Sequence, residues 1–282
     1  MRVHVVFVIA VAAAFAREPA VIGLDHIPIA VSDLARAADD YRALGFALKP
    51  GRPHDNGIQN QHVKFEDGTE LELITAPAAR DALTTTYRRH LERGDGPAFL
   101  ALFAPRIAFA GEQLAAAKIS HAVNGGSIDF PGDGGLAYLF LAGRNKSPTD
   151  RPEHFAHANT ARSLIRVWLA DDDVSRERKV LDALGATFVQ IDVFVPGPVH
   201  ATVARLPEGD IVLLPRARQL VPGRRIVGAT LRVGSLETAR SILGRGQPSP
   251  PEIVVSSTGR SVFLPASRTH GLWLEFLEPS TR

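Results

Sequence analysis

The chain has 282 residues, with 32 Lys+Arg, 30 Asp+Glu, 45% hydrophobic residues and no Cys. This is the composition of a folded globular protein, and it excludes disordered, collagen-like and coiled-coil classes. Without cysteine there is no disulfide framework and no thiolate metal site, so any metal ion would need His, carboxylate or amide ligands. The net charge is only +2 and the basic residues are scattered, which predicts no nucleic-acid partner.

Residues 1–16 are interpreted as a secretory signal peptide. A short basic start precedes the apolar run 5–13, and the segment Ala14–Ala16 supplies a small-x-small cleavage pattern. The apolar run is too short to span a bilayer, and no later segment approaches the required length, so we expect no membrane span in the mature chain. The sequence therefore predicts a secreted or periplasmic protein.

A repeat organises the chain from residue 21 onward. In its first copy, a β-branched strand precedes an amphipathic helix that is capped by Ser32 or Asp33 and stops at Leu44-Gly45. Residues 57–76 then form two or three strands, which gives a βαβββ unit. The cap and the stop recur at one common offset, as Asp173-Val174 and Leu184-Gly185. This recurrence predicts a third unit from residue 163.

The remaining copies complete four units of the same kind. The fourth starts near Arg225 and ends in a strand over 274–277 that matches residues 71–74. A weaker second copy spans 96–143. The resulting organisation is a first pair of units over 21–143, a polar linker over 144–162 and a second pair over 163–282.

Residues 24–34 (LDHIPIAVSDL), 44–46 (LGF) and 71–73 (LEL) resemble the vicinal oxygen chelate superfamily, the fold of glyoxalase I, extradiol dioxygenases and bleomycin-binding proteins. The segments 51–54 (GRPH) with 57–60 (GIQN), and 157–161 (HANTA), are similar to its glyoxalase-like branch, although the first segment is one residue short of the family pattern. The resemblance implies an α+β fold in which four βαβββ units form two pairs, each curling mixed, antiparallel-rich sheets into a cup.

The resemblance also implies a divalent metal ion inside a cup. It assigns His26 and Glu72 as ligands in the first unit, and Glu275 stands at the position of Glu72 in the fourth unit. If the first unit pairs with the fourth, these three residues form a set suited to Mn, Fe(II), Ni or Zn. If the first pairs with the second, Gln59 or His62 would complete the set. The sequence leaves both pairings open.

Two functions are compatible with this interpretation. The first is a metal-dependent lyase, isomerase or dioxygenase for a small oxygen-bearing substrate, with Glu72 and Glu275 as catalytic residues. The second is a metal-free protein that binds or sequesters a small molecule beside Trp273, as bleomycin-binding proteins do. The predicted substrate-binding residues are His54, Gln59, Asn60, His157, Asn159 and Trp273. A small molecule is the expected partner in both cases, and a homodimer is compatible with either.

Overall fold

The computed structural model describes residues 18–131 and 135–280. The predicted signal peptide lies outside these ranges. Within them, no helix has the length and apolar character needed to cross a bilayer.

The elements follow the repeat in chain order. The first and second units contain β1 (Gly23–Leu24), β2 (His26–Ala30), α1 (Leu34–Ala43), β3 (Lys49–Pro50), β4 (Gln59–Lys64), β5 (Glu70–Thr75), α2 (Ala82–Leu91), β6 (Gly96–Pro97), β7 (Leu100–Phe103), α3 (Ile107–Ala116), β8 (Ala122–Asn124), β9 (Ser127–Asp129) and β10 (Leu139–Ala142). The third and fourth contain β11 (Ala161–Ala170), α4 (Ser175–Ala183), β12 (Thr187–Phe194), β13 (Pro198–Leu206), β14 (Gly209–Leu214), β15 (Ile226–Val233), α5 (Leu236–Leu243), β16 (Val254–Ser256), β17 (Gly259–Leu264) and β18 (Trp273–Pro279).

The strands form three sheets, whose orders are β3-β4-β5-β2-β6, β1-β7-β10-β9-β8 and β12-β13-β14-β11-β15-β18-β17-β16. Antiparallel pairing of β2 with β6 and of β1 with β7 joins the first unit to the second. Antiparallel pairing of β11 with β15 joins the third to the fourth. The α+β fold of βαβββ units is confirmed, and the alternative that pairs the first unit with the fourth is wrong.

Strand alternation divides the first sheet into two faces. Ile27, Ile29, Leu71 and Leu73 are fully buried in the core with Tyr41 of α1. Each such buried side chain contributes about 1.5–3 kcal/mol relative to exposure. The opposite face of β2, β4 and β5 is called here the first cup. The corresponding face of the eight-stranded sheet, which carries Trp168, Thr230 and Glu275, is called the second cup.

Helix α2 is an addition that the repeat does not predict. Asp81 accepts the backbone N–H of Thr84, and the Thr84 hydroxyl reaches back to the backbone N–H of Asp81, so the two residues form a capping box. Tyr87 of this helix packs against Phe99 and Ala30. The helix therefore covers an apolar end of the first cup and leaves the other end polar.

Candidate functional site

Several predicted site residues meet on the polar end of the first cup. The side chains that the strand register turns to this face are those of His26, Asn60, His62 and Glu72. His62 stands directly opposite Glu72 in the pairing of β4 with β5. The Nε2 atom of His26 lies 3.8 Å from Oε2 of Glu72. A histidine and a carboxylate from neighbouring strands therefore share one space.

That space is a cavity of about 560 Å³. Its volume falls in the range of roughly 300–1,000 Å³ that is typical of small-molecule sites. Beside the residues already named, the lining includes Lys49, Arg52, His54, Lys64, Asn145 and Lys146. Most of the added side chains are cationic, so the lining favours an anionic ligand.

His26 is held by a buried carboxylate. Its Nδ1 donates to Oδ2 of Asp25 at 2.7 Å, and Asp25 is fully buried. The ring also packs edge-on against Phe140 of β10, with the ring centroids 5.4 Å apart. Burial opposes the charged form, but the hydrogen bond and charge of Asp25, with the charges of Glu70 and Glu72, raise the pKa of His26 to about 9. His26 is therefore an imidazolium at neutral pH.

Asn60 and Gly51 position Glu72. The Nδ2 of Asn60 donates to Oε1 of Glu72 at 2.5 Å. Asn60 in turn packs on Gly51, where an added Cβ would lie 1.6 Å from Oδ1 of Asn60. Glycine is required at 51 because any side chain would displace the amide. Asn60 thus orients a carboxylate and also lines the cavity, and its expected role in substrate binding stays a prediction.

His54 lines the cavity, as a substrate-binding residue would. Its Nε2 is buried and has no hydrogen-bond partner among the described residues. Buried polar atoms are rarely left unpaired, and a ligand in the cavity would relieve this one. Its role stays a prediction.

His62 stands opposite Glu72 in the strand pairing, but its ring is hydrogen-bonded to Glu70. Its Nδ1 lies 3.1 Å from Oε1 of Glu70, and Asn145 donates to the same oxygen at 2.8 Å. Burial alone would raise the pKa of Glu70, but the hydrogen bond from His62 and the charge of His26 lower it. His62 is therefore hydrogen-bonded to Glu70, and the structure does not show it completing a set around Glu72.

Gln59 does not reach the cavity. Alternation along β4 turns Asn60 inward and Gln59 outward, and Gln59 is exposed. The structure thus corrects its assignment both as a third ligand and as a substrate-binding residue.

His157 and Asn159 are bound to backbone groups away from the cavity. His157 accepts the N–H of Ala47 at Nδ1, at 3.0 Å, and its Nε2 donates to the carbonyl of Lys64 at 2.9 Å. Asn159 donates to the carbonyl of Leu44 and accepts the N–H of Ala161. Both side chains are buried. They fasten the linker to the first unit, which corrects their assignment to substrate binding.

Glu275 and Trp273 lie in the second cup, on β18. Because β18 belongs to the eight-stranded sheet, Glu275 cannot join His26 and Glu72. Its carboxyl group accepts hydrogen bonds from Thr230 at 2.6 Å and from Ser261 at 2.5 Å, and burial raises its pKa. The predicted set of His26, Glu72 and Glu275 is therefore not assembled, and neither residue of β18 contacts the cavity of the first cup.

Aromatic side chains fill the second cup. Trp168 packs on Phe263, which also packs on Phe194. The space left beside Glu275 is about 20 Å³, close to the room that one water molecule needs. Trp273 is partly buried against the apolar cluster that contains Trp168, and its role in ligand binding stays a prediction.

The donor set of the first cup does not fit a divalent metal ion. His26 and Glu72 hold the positions that the resemblance assigns to ligands, but the second unit presents Phe140 against His26 in place of a donor. The ammonium of Lys64, 3.6 Å from Glu70, also opposes a cation at this position. Within residues 18–131 and 135–280, no three His, Asp or Glu side chains are arranged to hold a metal ion. Proton-carrying side chains are the groups available for chemistry.

Sequence reasoning missed the partners of the site. Asp25 was visible as the residue before His26, but its burial depends on tertiary packing. Lys49, Lys64 and Asp150 gave no signal, because charged residues in loops and strand ends are usually solvated.

Comparisons with known proteins identify the family. A family model described as a glyoxalase-like domain matches residues 24–185, more than half of the chain. No curated protein matches the chain in sequence at a significant level.

Solved structures share the fold at low sequence identity. A variant of 4-hydroxymandelate synthase from Streptomyces coelicolor has a TM-score of 0.63 and 14% identity, and the match covers 94% of this chain and 94% of that chain. A variant of homoprotocatechuate 2,3-dioxygenase from B. fuscum, in complex with HPCA, has a TM-score of 0.60 and 15% identity, with 94% and 73% covered. A hypothetical protein from Staphylococcus aureus has a TM-score of 0.59 and 13% identity, with 90% and 98% covered.

At such identities a structural likeness shows the fold alone, and functions vary widely within one fold. The matched residues and the shared architecture together show that this chain belongs to the glyoxalase-like family of the vicinal oxygen chelate superfamily.

Proposed function

We propose that the first cup is a metal-independent proton-transfer site for a small anion with adjacent oxygen atoms, such as a 2-oxo or 2-hydroxy acid. One observation carries the proposal: the carboxylate of Glu72 and the imidazole of His26 face the same cavity, and most of the charged side chains that line it are cationic. This arrangement favours an isomerase or lyase type of reaction.

Glu72 acts as the base. Asn60 binds its Oε1, while its Oε2 accepts no hydrogen bond from the described residues. A carboxylate fixed in this way can take a proton from a carbon atom next to a carbonyl group. The electron pair of the broken C–H bond moves onto the carbonyl oxygen, which becomes an enolate.

His26 acts as the acid. Its Nε2–H lies beside Glu72 and can donate to the enolate oxygen, while Asp25 fixes the ring and stabilises the imidazolium. When Glu72 returns the proton to the same carbon, His26 recovers its own proton from the enol oxygen, and the result is proton exchange. When Glu72 returns it to the former carbonyl carbon of a 2-hydroxy carbonyl substrate, His26 takes the proton of the neighbouring hydroxyl group, which becomes the new carbonyl. The cycle balances without an oxidant or reductant.

Cationic side chains hold the anionic group. Arg52 and Lys146 are exposed at the cavity and have no ion-pair partner in the described ranges. Their charges attract an anion towards the cup. Lys49 and Lys64 lie deeper in the lining and are buried.

Proton exchange in D₂O tests the proposal without knowledge of the natural substrate. Metal-depleted protein in EDTA is incubated with a panel of small 2-oxo acids, and loss of carbon-bound protons is followed by ¹H NMR. We expect catalysed exchange for at least one acid, and a decrease of about 100-fold or more for Glu72→Gln. Glu72→Gln should still bind oxalate, a dianion that cannot exchange. Glu275→Gln, in the second cup, is the matched control and should leave exchange unchanged.

Two outcomes would replace this function. If oxalate binds but no acid of the panel exchanges its protons, the first cup is a metal-free binding site. If exchange appears only after Mn, Fe(II), Ni or Zn is restored, the protein is a metal-dependent enzyme.

A further inference from the structure

Two lysines are buried at the polar end of the first cup. The side chains of Lys49 and Lys64 are 9% and 2% exposed, and both line the cavity. A buried ammonium group loses its hydration and needs a counter-ion in return. Glu70, 3.6 Å from Lys64, supplies one negative charge from the floor of the cup. The second lysine needs another.

Asp150 supplies the second charge, from the linker and not from the cup. One of its carboxylate oxygens binds Lys49, and the other lies 3.0 Å from Nζ of Lys64. Burial opposes its ionisation, but the hydrogen bonds from Lys49, from the N–H of Ser147 and from Lys64 lower the pKa of Asp150 to about 2. Its carboxylate is thus charged throughout the neutral range.

The loop 145–150 that carries Asp150 is closed on itself. The N–H of Ser147 donates to Oδ2 of Asp150, and the N–H of Asp150 donates to the carbonyl of Ser147, both at 2.9 Å. Asn145 also binds the cup, because its carbonyl accepts a hydrogen bond from Lys64 and its side-chain amide donates to Glu70. Asp150 can therefore leave the lysines without breaking a strand pairing or a core contact.

On the basis of the proposed function, we infer that Asp150 is an intramolecular competitor for the anion site of the first cup. Its carboxylate occupies the ammonium groups of Lys49 and Lys64, and a small carboxylate or phosphate ligand displaces it and releases the loop 145–150. A ligand in the cavity reaches the same two ammonium groups because both line it. Glu70 remains as the permanent counter-ion of Lys64.

Calorimetric titration with oxalate in EDTA tests the inference. Asp150→Asn should bind oxalate about 10-fold more tightly than wild type, because the competing carboxylate is gone. Lys49→Met should bind about 10-fold more weakly. The double variant with Lys49→Met and Asp150→Asn should bind oxalate no more tightly than Lys49→Met, because the gain in affinity from Asp150→Asn requires the ammonium group of Lys49. Inorganic phosphate, titrated in parallel, distinguishes a phosphate ligand from a carboxylate ligand.

Glu208→Gln is the matched control. Glu208 pairs at 2.5 Å with Arg144, at the start of the linker, so this change loosens the linker without freeing either buried lysine. It should leave oxalate affinity unchanged. A gain equal to that of Asp150→Asn would show that linker mobility alone is responsible, and it would overturn the inference.

Hydrogen exchange of the wild-type protein gives a second measurement, which holds even if Asp150→Asn fails to fold. Oxalate should accelerate exchange of the Ser147 and Asp150 amides several-fold, whereas ordinary closure over a ligand would slow it. Unchanged or slower exchange at these amides, or an Asp150→Asn affinity no higher than wild type, overturns the inference and leaves the proposed function standing. If oxalate binds to neither protein, the proposed function fails as well.

Discussion

The Oδ2 atom of Asp25 lies 2.7 Å from Nδ1 of His26, and the other carboxylate oxygen, Oδ1, is buried and has no hydrogen-bond partner among the described residues. Asp25 stands at the break between β1 and β2, where strand pairing changes from the sheet of the second unit to that of the first. This break lets two consecutive side chains meet. The pair fixes both the orientation and the charge of the imidazole.

We expect Asp25→Asn to lower the pKa of His26. In the wild type the group should titrate near pH 9, so its stabilising effect is complete below about pH 6.5 and is lost as the pH rises through 9. Without the Asp25 charge, burial dominates and favours the neutral ring. NMR titration of the histidine Cε1–H resonances measures the pKa of His26 in the wild type and in Asp25→Asn. Asp192→Asn, which replaces an exposed aspartate on β12, is the control and should leave the pKa of His26 unchanged. A wild-type midpoint near 6.5 would contradict this prediction.

Gly228→Ala should destabilise the protein without affecting the first cup. A Cβ at Gly228 would lie 2.0 Å from Cε3 of Trp168, whose ring fills the second cup. Overpacking of this kind costs about 1–3 kcal/mol. Denaturant unfolding measures the loss, and oxalate titration checks the first cup. Gly143→Ala, where an added Cβ meets no atom within 4 Å, is the matched control. Equal stability of the two variants would show that Trp168 can move aside.

Local chemistry made much of the fold predictable. Asp33 caps α1 as expected, accepting the N–H of Arg36 at 3.0 Å, and Gly45 ends the helix with φ of +87°. The shared cup of His26 and Glu72 was implied by the family resemblance, and the alternation along β2 and β5 agrees with it. Helix α2 was not predicted, although Asp81 and Thr84 form its capping box, because the βαβββ repeat contains no second helix.

Other parts of the site depend on contacts that no local pattern encodes. The four units have similar patterns of apolar and polar residues, so the sequence does not determine which units pair. For this reason Glu275 was assigned to a set with His26 and Glu72 that the fold does not form. The segment 157–161 matched a family pattern, but His157 and Asn159 use their polar atoms on backbone groups distant in sequence. Burial of Lys49 and Lys64 likewise depends on Asp150, which reaches them only in the folded chain.

His157→Ala should reduce stability and leave ligand affinity unchanged. The substitution removes the His157 partner of the half-buried N–H of Ala47 and of the buried carbonyl of Lys64, and an unpaired buried group costs about 1–3 kcal/mol. Denaturant unfolding should show this loss. His54→Ala is the contrasting variant. Because His54 lines the cavity, this substitution should lower oxalate affinity with little effect on stability. A normal stability with weakened oxalate binding in His157→Ala would restore the sequence-based assignment.

His270 joins the fourth unit to the first pair. Its Nδ1 lies 2.8 Å from Asp95, before β6, and its Nε2 lies 3.1 Å from Asp40 of α1. The hydrogen bond to Asp95, and less strongly the one to Asp40, raise the pKa of His270 against the effect of burial. The residue has φ of +53°, a left-handed conformation that a non-glycine side chain adopts at a cost. These bonds offset that cost.

His270→Asn should therefore lower the unfolding free energy at pH 6 by about 2 kcal/mol, because hydrogen bonds to charged groups contribute about 1.5–3 kcal/mol each. Asparagine tolerates the left-handed backbone, so the loss reports the ion pairs. Because the folded pKa of His270 is raised, its contribution is complete below about pH 6.5 and declines as the pH rises through that folded value. The gap in unfolding free energy between the wild type and His270→Asn, measured by chemical denaturation, should thus narrow from pH 6 to pH 8. His200→Asn, on the surface, is the control, and a gap that widens with pH would refute the assignment.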